Sequence, residues 1–474
     1  MIFRSSGGHL PKCCQTSIRK DNAMSRQTPE LLKNRSASQE FLFSRLQGTP
    51  SVESQRQTTA VSPDVGPRDH PSPPAAGQAL DWQGLVHAID TTFGSVTRLC
   101  VAMLQFDALA DVQGTDEQPG KAADPEFVDI ACQESGGIWA RVDECRLALA
   151  IPHLDVDAGR RMVRRIQQRY ADSGTAPITA GVAFYPTTRY TRSQLVDNAH
   201  KALVHAGFFG PGSLTCFDAV SLNISGDRLY QDGDIQGAVD EFKQGLLMDP
   251  TEANLHNSLG VCYGVLGDTQ KALEAFETAM WLAPENVMAV YNKGYVLLQS
   301  GQYEQAREAL LKADAIEGGV FEVVFHLGQL FMRMKQADKA RPYLESSTRA
   351  NNRCGPAFRS LGECLDELNL GKEAIQAYKG AIKINPADAQ ALSAVGRLYT
   401  QRGESLDVAS VMCEQSVQLE PDNGLFRHRL GQAYLSRGKL DRALAEFERA
   451  VELGHDSQAY IQKTQDRMIA ARAS

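Results

Sequence analysis

The fold of this chain is decided by residues 253–286, ANLHNSLGVCYGVLGDTQKALEAFETAMWLAPEN. Eight positions of this stretch carry residue types that return at intervals of roughly 34 residues in both directions along the chain. A fixed period of about this length is typical of a repeat architecture, so it takes priority over any single motif. The eight positions are Leu259, Gly260, Tyr263, Gly267, Ala272, Phe276, Ala279 and Pro284.

Each unit of the period divides into two helices. In the first half, Leu255, Leu259 and Tyr263 mark one helical face, and Ala272 and Phe276 mark another in the second half. A glycine and an aspartate separate the two halves, and a proline closes the unit. The stretch therefore predicts a pair of helices joined by a tight turn.

The same offsets recur along the second half of the chain. In the sixth unit Ala409 and Pro421 arrive one residue late, so we expect one inserted residue in the turn between its helices. Residues 457–474 are predicted to form a capping helix, because a terminal unit must be polar on one face. The seven predicted units are 219–252, 253–286, 287–320, 321–354, 355–388, 389–423 and 424–456.

This eight-position pattern resembles the tetratricopeptide repeat. The resemblance implies an all-α superhelical solenoid whose concave side is lined by the first helix of each unit and binds peptides. Arg359 and Arg397 would then pair with acidic groups of a ligand. An aromatic residue on this face either contacts the ligand or only packs against the neighbouring unit. The side chains expected on the peptide-binding face are Asn257, Tyr291, Tyr295, Phe325, Gln329, Arg359, Arg397, His428 and Gln432.

A different periodicity runs through residues 79–218. Leu99–Phe106 predicts a buried strand, and the apolar runs further along predict a hairpin that turns at Asp143 and Glu144. The predicted order is helix, strand, helix, strand, strand, helix, strand, helix, strand. Such an order suits an antiparallel-centred sheet with helices packed against it, which is an α+β fold.

Particular residues of this segment resemble the GGDEF domain of diguanylate cyclases, which has a nucleotidyl-cyclase-like fold. Thr179–Ala183, followed by Tyr185 and Pro186, is similar to a strand of that family. Asn198–Leu203 is similar to the helix that follows it. At the hairpin, the place of the family's Gly-Gly-Asp-Glu-Phe signature is taken by Val142, Asp143, Glu144 and Cys145. Both glycines of the signature are lost.

The resemblance implies a domain that has lost its catalytic activity. The family joins two GTP molecules into cyclic di-GMP, using divalent ions held by a first-strand acid and by the third signature residue. Gln105 aligns with the first-strand acid and is neutral, and one unit charge lost about 4 Å from a cation forfeits roughly 4 kcal/mol at an effective dielectric of 20. Asp143 keeps a carboxylate, but Arg141 and Val142 carry side chains where the backbone would approach phosphate. We therefore expect no catalytic residues, no metal and no cofactor, and an Asp143 that is either a solvated turn residue or part of a weak nucleotide site.

Charge and composition limit the classes of partner that the protein could bind. Residues 1–78 hold 10 Lys and Arg against 6 Asp and Glu, a balance of +4, and the remaining residues hold 39 against 51, a balance of −12. An acidic folded part argues against nucleic acid as a partner, because phosphate binding depends on clustered Lys and Arg. The Ser-, Pro- and Gln-rich tail at 1–78 is expected to be disordered. Its apolar patch at Phe41–Leu46 is either a docking peptide or a transient helix without a role.

No apolar run approaches the roughly 20 residues needed to span a bilayer. The first residues, Met1–Cys14, lack the apolar core of a signal peptide, so we expect a cytoplasmic protein, with Met24 as an alternative start. The 10 cysteines show no Cys-x-x-Cys pair and are expected to be reduced and structural.

These patterns favour a bacterial-type adaptor that binds a protein or peptide partner through its repeats and carries a catalytically inactive cyclase-like domain. The alternative is a signalling receptor in which the degenerate domain still binds GTP or cyclic di-GMP. A third hypothesis is a residual diguanylate cyclase. The sequence leaves the identity of the partner open.

Overall fold

The computed structural model describes residues 80–107, 124–174, 177–187 and 189–473. The predicted tail at 1–78 lies outside these residues. The described chain divides into two compact units, with the boundary in the sequence between Ala283 and Pro284. The first unit contains an α+β region and two helix pairs, and the second contains five helix pairs and a last helix.

The α+β region follows the predicted order of helices and strands. Leu99–Phe106 forms a strand with the predicted bounds, and the predicted turn at Asp143 and Glu144 joins two strands. The elements are α1 (Trp82–Thr92), β1 (Leu99–Phe106), α2 (Glu126–Ser135), β2 (Ile138–Arg141), β3 (Arg146–Pro152), α3 (Val156–Asp172), β4 (Ile178–Tyr185), α4 (Leu195–Gly207) and β5 (Leu214–Cys216).

The strands form one sheet in the order β2-β3-β1-β4-β5. β1 lies at its centre and pairs antiparallel with both β3 and β4, and β5 joins β4 in parallel. The prediction of an antiparallel-centred sheet is therefore confirmed. With their connecting helices, β1 to β4 make the split β-α-β arrangement, which places one strand between two strands joined by a helix.

Both faces of this sheet are covered by helices. Side chains alternate along β1, so Cys100 and Leu104 point to the face covered by α2 and α3. Val101 and Met103 point to the opposite face, which packs against α1 and α4. The core is therefore two apolar layers separated by the sheet, which explains why β1 reads as a continuous apolar run.

The described residues from Ala219 to Ala473 form seven consecutive helix pairs and one last helix. First helices of the pairs begin 34 residues apart, except that the seventh begins 35 residues after the sixth. The elements are α5 (Ala219–Gln231), α6 (Ile235–Met248), α7 (Ala253–Val265), α8 (Thr269–Leu282), α9 (Val287–Gln299), α10 (Tyr303–Ile316), α11 (Phe321–Arg333), α12 (Ala337–Ala350), α13 (Gly355–Glu367), α14 (Gly371–Ile384), α15 (Ala389–Arg402), α16 (Leu406–Leu419), α17 (Gly424–Ser436), α18 (Leu440–Glu452) and α19 (Gln458–Ala473).

The extra residue of the sixth pair lies in the turn between its two helices. Asn369 and Gly403, which are 34 residues apart, both have positive φ, of 59° and 65°. Two residues, Glu404 and Ser405, then precede α16, whereas Leu370 alone precedes α14. The additional turn residue is Ser405, whose φ is 48°. The prediction of an inserted turn residue is therefore confirmed.

In each helix pair, a glycine on the first helix lies directly against a side chain of the second helix. A Cβ added at Gly260 on α7 would lie 2.6 Å from the Phe276 ring on α8, and that ring is fully buried. The corresponding Gly431 on α17 faces Phe447 on α18 in the same way, at 2.7 Å. The glycine is thus needed for the close approach of the two helices.

Gly260→Val is therefore expected to destabilise the first compact unit by about 1–3 kcal/mol, because the added side chain would overlap the fully buried Phe276 ring. Gly371→Ala is the matched control, since a Cβ there has no neighbour closer than 3.8 Å. Urea unfolding of the full chain measures both. Equal midpoints for the two variants would contradict the packing described for the pair.

The α+β region and the first helix pair belong to the same compact unit. Lys201 on α4 and Glu241 on α6 form an ion pair of 2.7 Å, with side chains 14% and 20% exposed. Asp218 caps α5 by accepting from the Ser221 amide at 2.8 Å, and Ser221 Oγ lies 3.2 Å from His205 Nδ1. Side chains of α4 thus contact the first pair directly. Within the described ranges, no helix is both long and apolar enough to cross a bilayer.

Candidate functional site

The predicted signature hairpin uses its carboxylate to close its own turn. Asp143 Oδ1 accepts from the Cys145 amide at 3.0 Å, and Asp143 Oδ2 accepts from Arg146 Nε at 2.7 Å. Burial acts to raise the pKa of Asp143, but hydrogen bonds from Arg146 and Cys145 outweigh it and hold that pKa below its ordinary value. Glu144 is exposed, Val142 is half-buried and Cys145 is buried. The arrangement accounts for Asp143 as a turn residue.

Gln105 lies near the end of β1, opposite Arg146 on β3 and Thr179 on β4. The nearby Asp107 is buried, and its Oδ2 accepts from Thr179 Oγ1 at 2.9 Å and from the Gly212 amide at 3.0 Å. This carboxylate therefore ties the ends of the central strands to the loop before β5. Among the described residues, no cluster of three His, Cys, Asp or Glu side chains is arranged to hold a metal ion.

Several residues predicted on the peptide-binding face are inside the protein. Tyr291 and Phe325 are fully buried, and Asn257 and Tyr295 are 1% and 5% exposed. Tyr291 Oη lies 3.1 Å from Nδ1 of His326 on the next first helix, whose ring contacts Phe325 edge to face. Because these aromatic side chains fill the space between α9 and α11, Tyr291 and Phe325 present no surface that a partner can touch.

The two predicted arginines already have carboxylate partners within the protein. Arg359 on α13 donates to Asp388 Oδ2 at 2.9 Å, and Asp388 is 3% exposed. Arg397 on α15 forms an ion pair with Asp366 on α13 and also donates to Gln401 Oε1 at 2.8 Å. Both arginines therefore connect first helices of neighbouring pairs. Their side chains stay 30% and 18% exposed, so each retains some contact with solvent.

Asp388 is expected to be a stability residue. Its Oδ1 caps α15 by accepting from the Ala391 amide at 3.0 Å, while its Oδ2 accepts from Arg359. Asp388→Ala removes the cap and leaves Arg359 without its partner, so we expect a loss of about 2–3 kcal/mol in urea unfolding. Asp268→Ala, which removes the cap of α8 together with a surface ion pair to Lys271, is the control and should lose clearly less. An equal loss in the two variants would contradict the role given to the Arg359 contact.

His428 connects the last helix pair to the start of α19. Its Nδ1 lies 2.7 Å from Ser457 Oγ, its Nε2 lies 2.9 Å from Gln432 Nε2, and its ring lies 4.6 Å from that of His455. Burial first, and then the neighbouring His455, lower the pKa of His428 to about 4. His428 is buried, whereas Gln432 is half-buried and keeps part of its surface.

One position of the first helix remains accessible in four successive pairs of the second compact unit. First helices of successive pairs contact one another here, α13 and α15 through the ion pair of Arg397 with Asp366, so these side chains follow one another along the unit. We call them the polar row: Gln329, Glu363, Arg397 and Gln432. Gln329, Arg397 and Gln432 were predicted from the sequence. Glu363 was not, because its acidic side chain is not of the aromatic, basic or amide type expected on this face. Its signal was its spacing, 34 residues from both Gln329 and Arg397.

Known proteins share this repeat pattern. Two family models described as "Tetratricopeptide repeat" match the chain, one at residues 265–319 and 403–467 and the other at 225–280 and 325–389. The chain contains tetratricopeptide repeats. In these repeats a first helix packs against a second helix, as the 34-residue period predicts.

Several known proteins are similar to part of this chain. Human "Protein O-mannosyl-transferase TMTC1" is 25% identical over 45% of this chain and 24% of its own length. "Type IV pilus assembly protein PilF" of Pseudomonas aeruginosa is 28% identical over 26% of this chain and 49% of its own length. The chain thus spans about a quarter of the first relative and about half of the second.

Solved structures are similar to part of this chain as well. A structure of Pseudomonas aeruginosa PilF is 23% identical, with 44% of this chain and 95% of that chain covered and a TM-score of 0.41. YrrB, titled a tetratricopeptide-repeat protein with an unusual peptide-binding site, is 21% identical, with 40% and 96% covered and a TM-score of 0.37.

Proposed function

We propose that this protein is an adaptor that binds a partner peptide along the polar row of its repeats. The observation that carries the proposal is the row itself: Gln329, Glu363, Arg397 and Gln432 present long hydrogen-bonding side chains at one repeat position in successive first helices. An extended peptide exposes an amide and a carbonyl at every residue, and side chains of this type can satisfy both. Packed helices lie about 8–10 Å apart, so each repeat would meet about every third residue of an extended chain.

The α+β region enters this proposal as a catalytically inactive, cyclase-like domain. Two observations support that assignment. Asp143 is engaged by Arg146 and Cys145 in closing its own turn, and a neutral Gln105 occupies the place where the sequence resemblance expects an acid. In the proposal, α4 holds this domain against the first repeat through Lys201 and His205.

Partner capture from cells of the source organism tests the adaptor function. The full-length Gln329→Glu/Glu363→Lys variant is expected to lose the proteins that the wild type retains, because both changes alter the charge of the polar row. Gln305→Glu/Glu308→Lys is the matched control, since it makes the same exchanges at exposed positions of the second helix α10. Equal retention by all three proteins would refute the proposed binding face.

Incubation of the full chain with GTP and Mg²⁺ or Mn²⁺, followed by chromatography, tests the proposed inactivity, and we expect no cyclic dinucleotide. Calorimetric titration with GTP and with cyclic di-GMP separates the adaptor from a nucleotide-responsive receptor. Binding tighter than millimolar would favour the receptor, and formation of cyclic di-GMP would refute the inactive domain.

A further inference from the structure

Glu363, on the first helix α13, is an exposed carboxylate without a partner of its own. In the part of the chain that the structure describes, it forms no hydrogen bond and no ion pair. Two neighbouring carboxylates are paired: Asp388 accepts from Arg359 at 2.9 Å, and Asp366 forms an ion pair with Arg397. Glu363 can therefore accept a cation from outside this cluster.

The charges of the cluster favour such a cation. Each of the two ion pairs is neutral, and the other charged members are Glu363, Glu367 and Arg429. The cluster therefore carries one negative charge in excess. Partial burial raises the pKa of Glu363, and Arg359 opposes this effect. The charges of Asp388 and Glu367 raise that pKa further, so a cation beside Glu363 would offset their repulsion.

Met332 is an apolar neighbour of the polar row on the preceding first helix. It lies three residues after Gln329 on α11, so the two side chains share one face of that helix. Met332 is half-buried, and α11 contacts α13 directly. A thioether packs favourably against an aromatic ring. Two successive repeats thus offer one contact for an aromatic residue and, at Glu363, one for a cation.

The chain itself contains a segment with these two residue types in the matching order. Residues 41–46, which lie outside the described residues, read FLFSRL. In an extended chain Phe43 and Arg45 point to the same side, about 7 Å apart. Because packed helices lie about 8–10 Å apart, these two side chains can reach neighbouring first helices at the same time.

We propose that residues 41–46 occupy the polar row when no partner is bound, with Arg45 paired to Glu363 and Phe43 packed on Met332. This inference rests on the proposed function, because the segment takes the place along which the partner peptide would lie. The protein would thus carry its own competitor, and a partner peptide would have to displace it.

Charge and length favour this occupant over a segment from a second copy. Residues 1–78 carry a balance of +4 and the remaining residues one of −12. The 33 residues at 47–79 span up to about 110 Å when extended, more than the roughly 70 Å that seven first helices at 8–10 Å spacing cover. A tether holds its segment at an effective concentration of up to about a millimolar, which exceeds that of a second copy at micromolar concentration.

Titration of a synthetic peptide of residues 38–48 into the full-length protein tests the contact. The Phe43→Ser/Arg45→Ser variant, whose own segment is disabled, should bind the peptide about tenfold more tightly than the wild type does. This ratio is expected for a tether at about 1 mM and a peptide Kd of about 100 μM. Leu32→Ser/Arg35→Ser makes the same kinds of exchange elsewhere in the tail and should behave as wild type. Equal affinity in all three proteins, or no binding to any, would overturn the inference.

A charge exchange tests whether Glu363 receives the arginine. Glu363→Lys, introduced into the Phe43→Ser/Arg45→Ser variant, should weaken binding of the peptide at least tenfold. A peptide carrying Arg45→Glu should recover part of that loss, because the two charges are then opposite again. Glu308→Lys, at an exposed position of α10, is the matched control and should change neither affinity. A loss that the exchanged peptide does not recover would contradict the pairing.

Photo-crosslinking of the purified full chain distinguishes the two possible sources of the segment. A benzophenone amino acid at Phe43 should form a product within one chain, on α11 or α13, and the same residue at Ser51 should not. A product between two chains would overturn the assignment to the chain's own row, as would a product on other helices.

Partner capture separates this inference from the proposed function. Phe43→Ser/Arg45→Ser should retain more of the partner than the wild type, because the competing segment is disabled. Equal retention by these two proteins, with loss in Gln329→Glu/Glu363→Lys, would overturn the inference and leave the proposed function intact. Equal retention by all three proteins would refute both.

Discussion

Gly181→Ala is expected to unfold the α+β region of this protein. Gly181 lies on β4 where α4 crosses the sheet, and a Cβ there would be 2.0 Å from the Leu203 amide nitrogen and 2.3 Å from the Ala199 carbonyl oxygen. Both are backbone atoms, so no side-chain rotation relieves the clash. Overpacking a core costs about 1–3 kcal/mol when side chains can adjust, and here we expect about 3 kcal/mol or more because the helix itself must move.

Hydrogen exchange of the full chain measures this effect region by region. Gly181→Ala should lose protection in β1 and β4, while the second compact unit serves as an internal reference. Gly207→Ala, at the end of α4, is the control, since a Cβ at Gly207 has no neighbour within 4 Å. Retained protection of β1 in Gly181→Ala would contradict the close approach of β4 and α4.

Acidification is expected to destabilise the second compact unit through His326. This residue is 1% exposed, and its Nδ1 lies 2.8 Å from the Glu322 carbonyl oxygen and 3.1 Å from Tyr291 Oη. Burial lowers the pKa of His326 to about 4, with the positive charge of Arg333 acting in the same direction. The aromatic rings of Tyr295 and Phe325 complete its surroundings.

The direction of the pH effect follows from proton binding by His326 in the folded and unfolded states. Below its ordinary pKa of about 6.5 the unfolded histidine takes up a proton, whereas the folded one stays neutral until about pH 4. Stability is therefore complete above pH 6.5 and falls as the pH drops toward 4, by about 3 kcal/mol from this group. Urea unfolding at intervals between pH 7 and 4 should show the decline.

His326→Asn removes the titrating ring and retains a hydrogen-bond donor, so its stability should vary less with pH even if the variant is less stable at pH 7. The buried His428, whose pKa is also lowered to about 4, should account for part of the remaining slope. His87→Asn, at an exposed position of the other compact unit, is the control. An unchanged slope in His326→Asn would contradict the neutral buried imidazole.

The helical part of the fold could be predicted from the sequence because its signals repeat. A small residue such as Gly260 opposite an aromatic such as Phe276 recurs at one period, so each repeat supports the assignment of the next. The strand at Leu99–Phe106 was also predictable, because a continuous apolar run between polar segments is typical of a strand buried on both faces. The inserted turn residue of the sixth pair was predictable as well, since Ala409 and Pro421 arrive one residue late.

For the candidate site, the sequence predicts which helices contribute residues but not which side chains contact one another. Repeat position places Arg397 on the first helix, but its pairing with Asp366 joins residues 31 positions apart, and Arg359 with Asp388 joins residues 29 apart. Whether a charge is already neutralised depends on such contacts between neighbouring helices. Tyr291 is buried for a related reason, since His326 of the following repeat fills the space beside it.

Photo-crosslinking in cells tests most directly whether the polar row holds the partner. A benzophenone amino acid placed at Gln329, Glu363 or Gln432 of the full chain is predicted to form a covalent product with the same protein at each position. The same residue placed at Glu308, exposed on α10, should give no such product. Products of equal yield from Glu308, or from Glu144 at the hairpin and not from the row, would contradict this account.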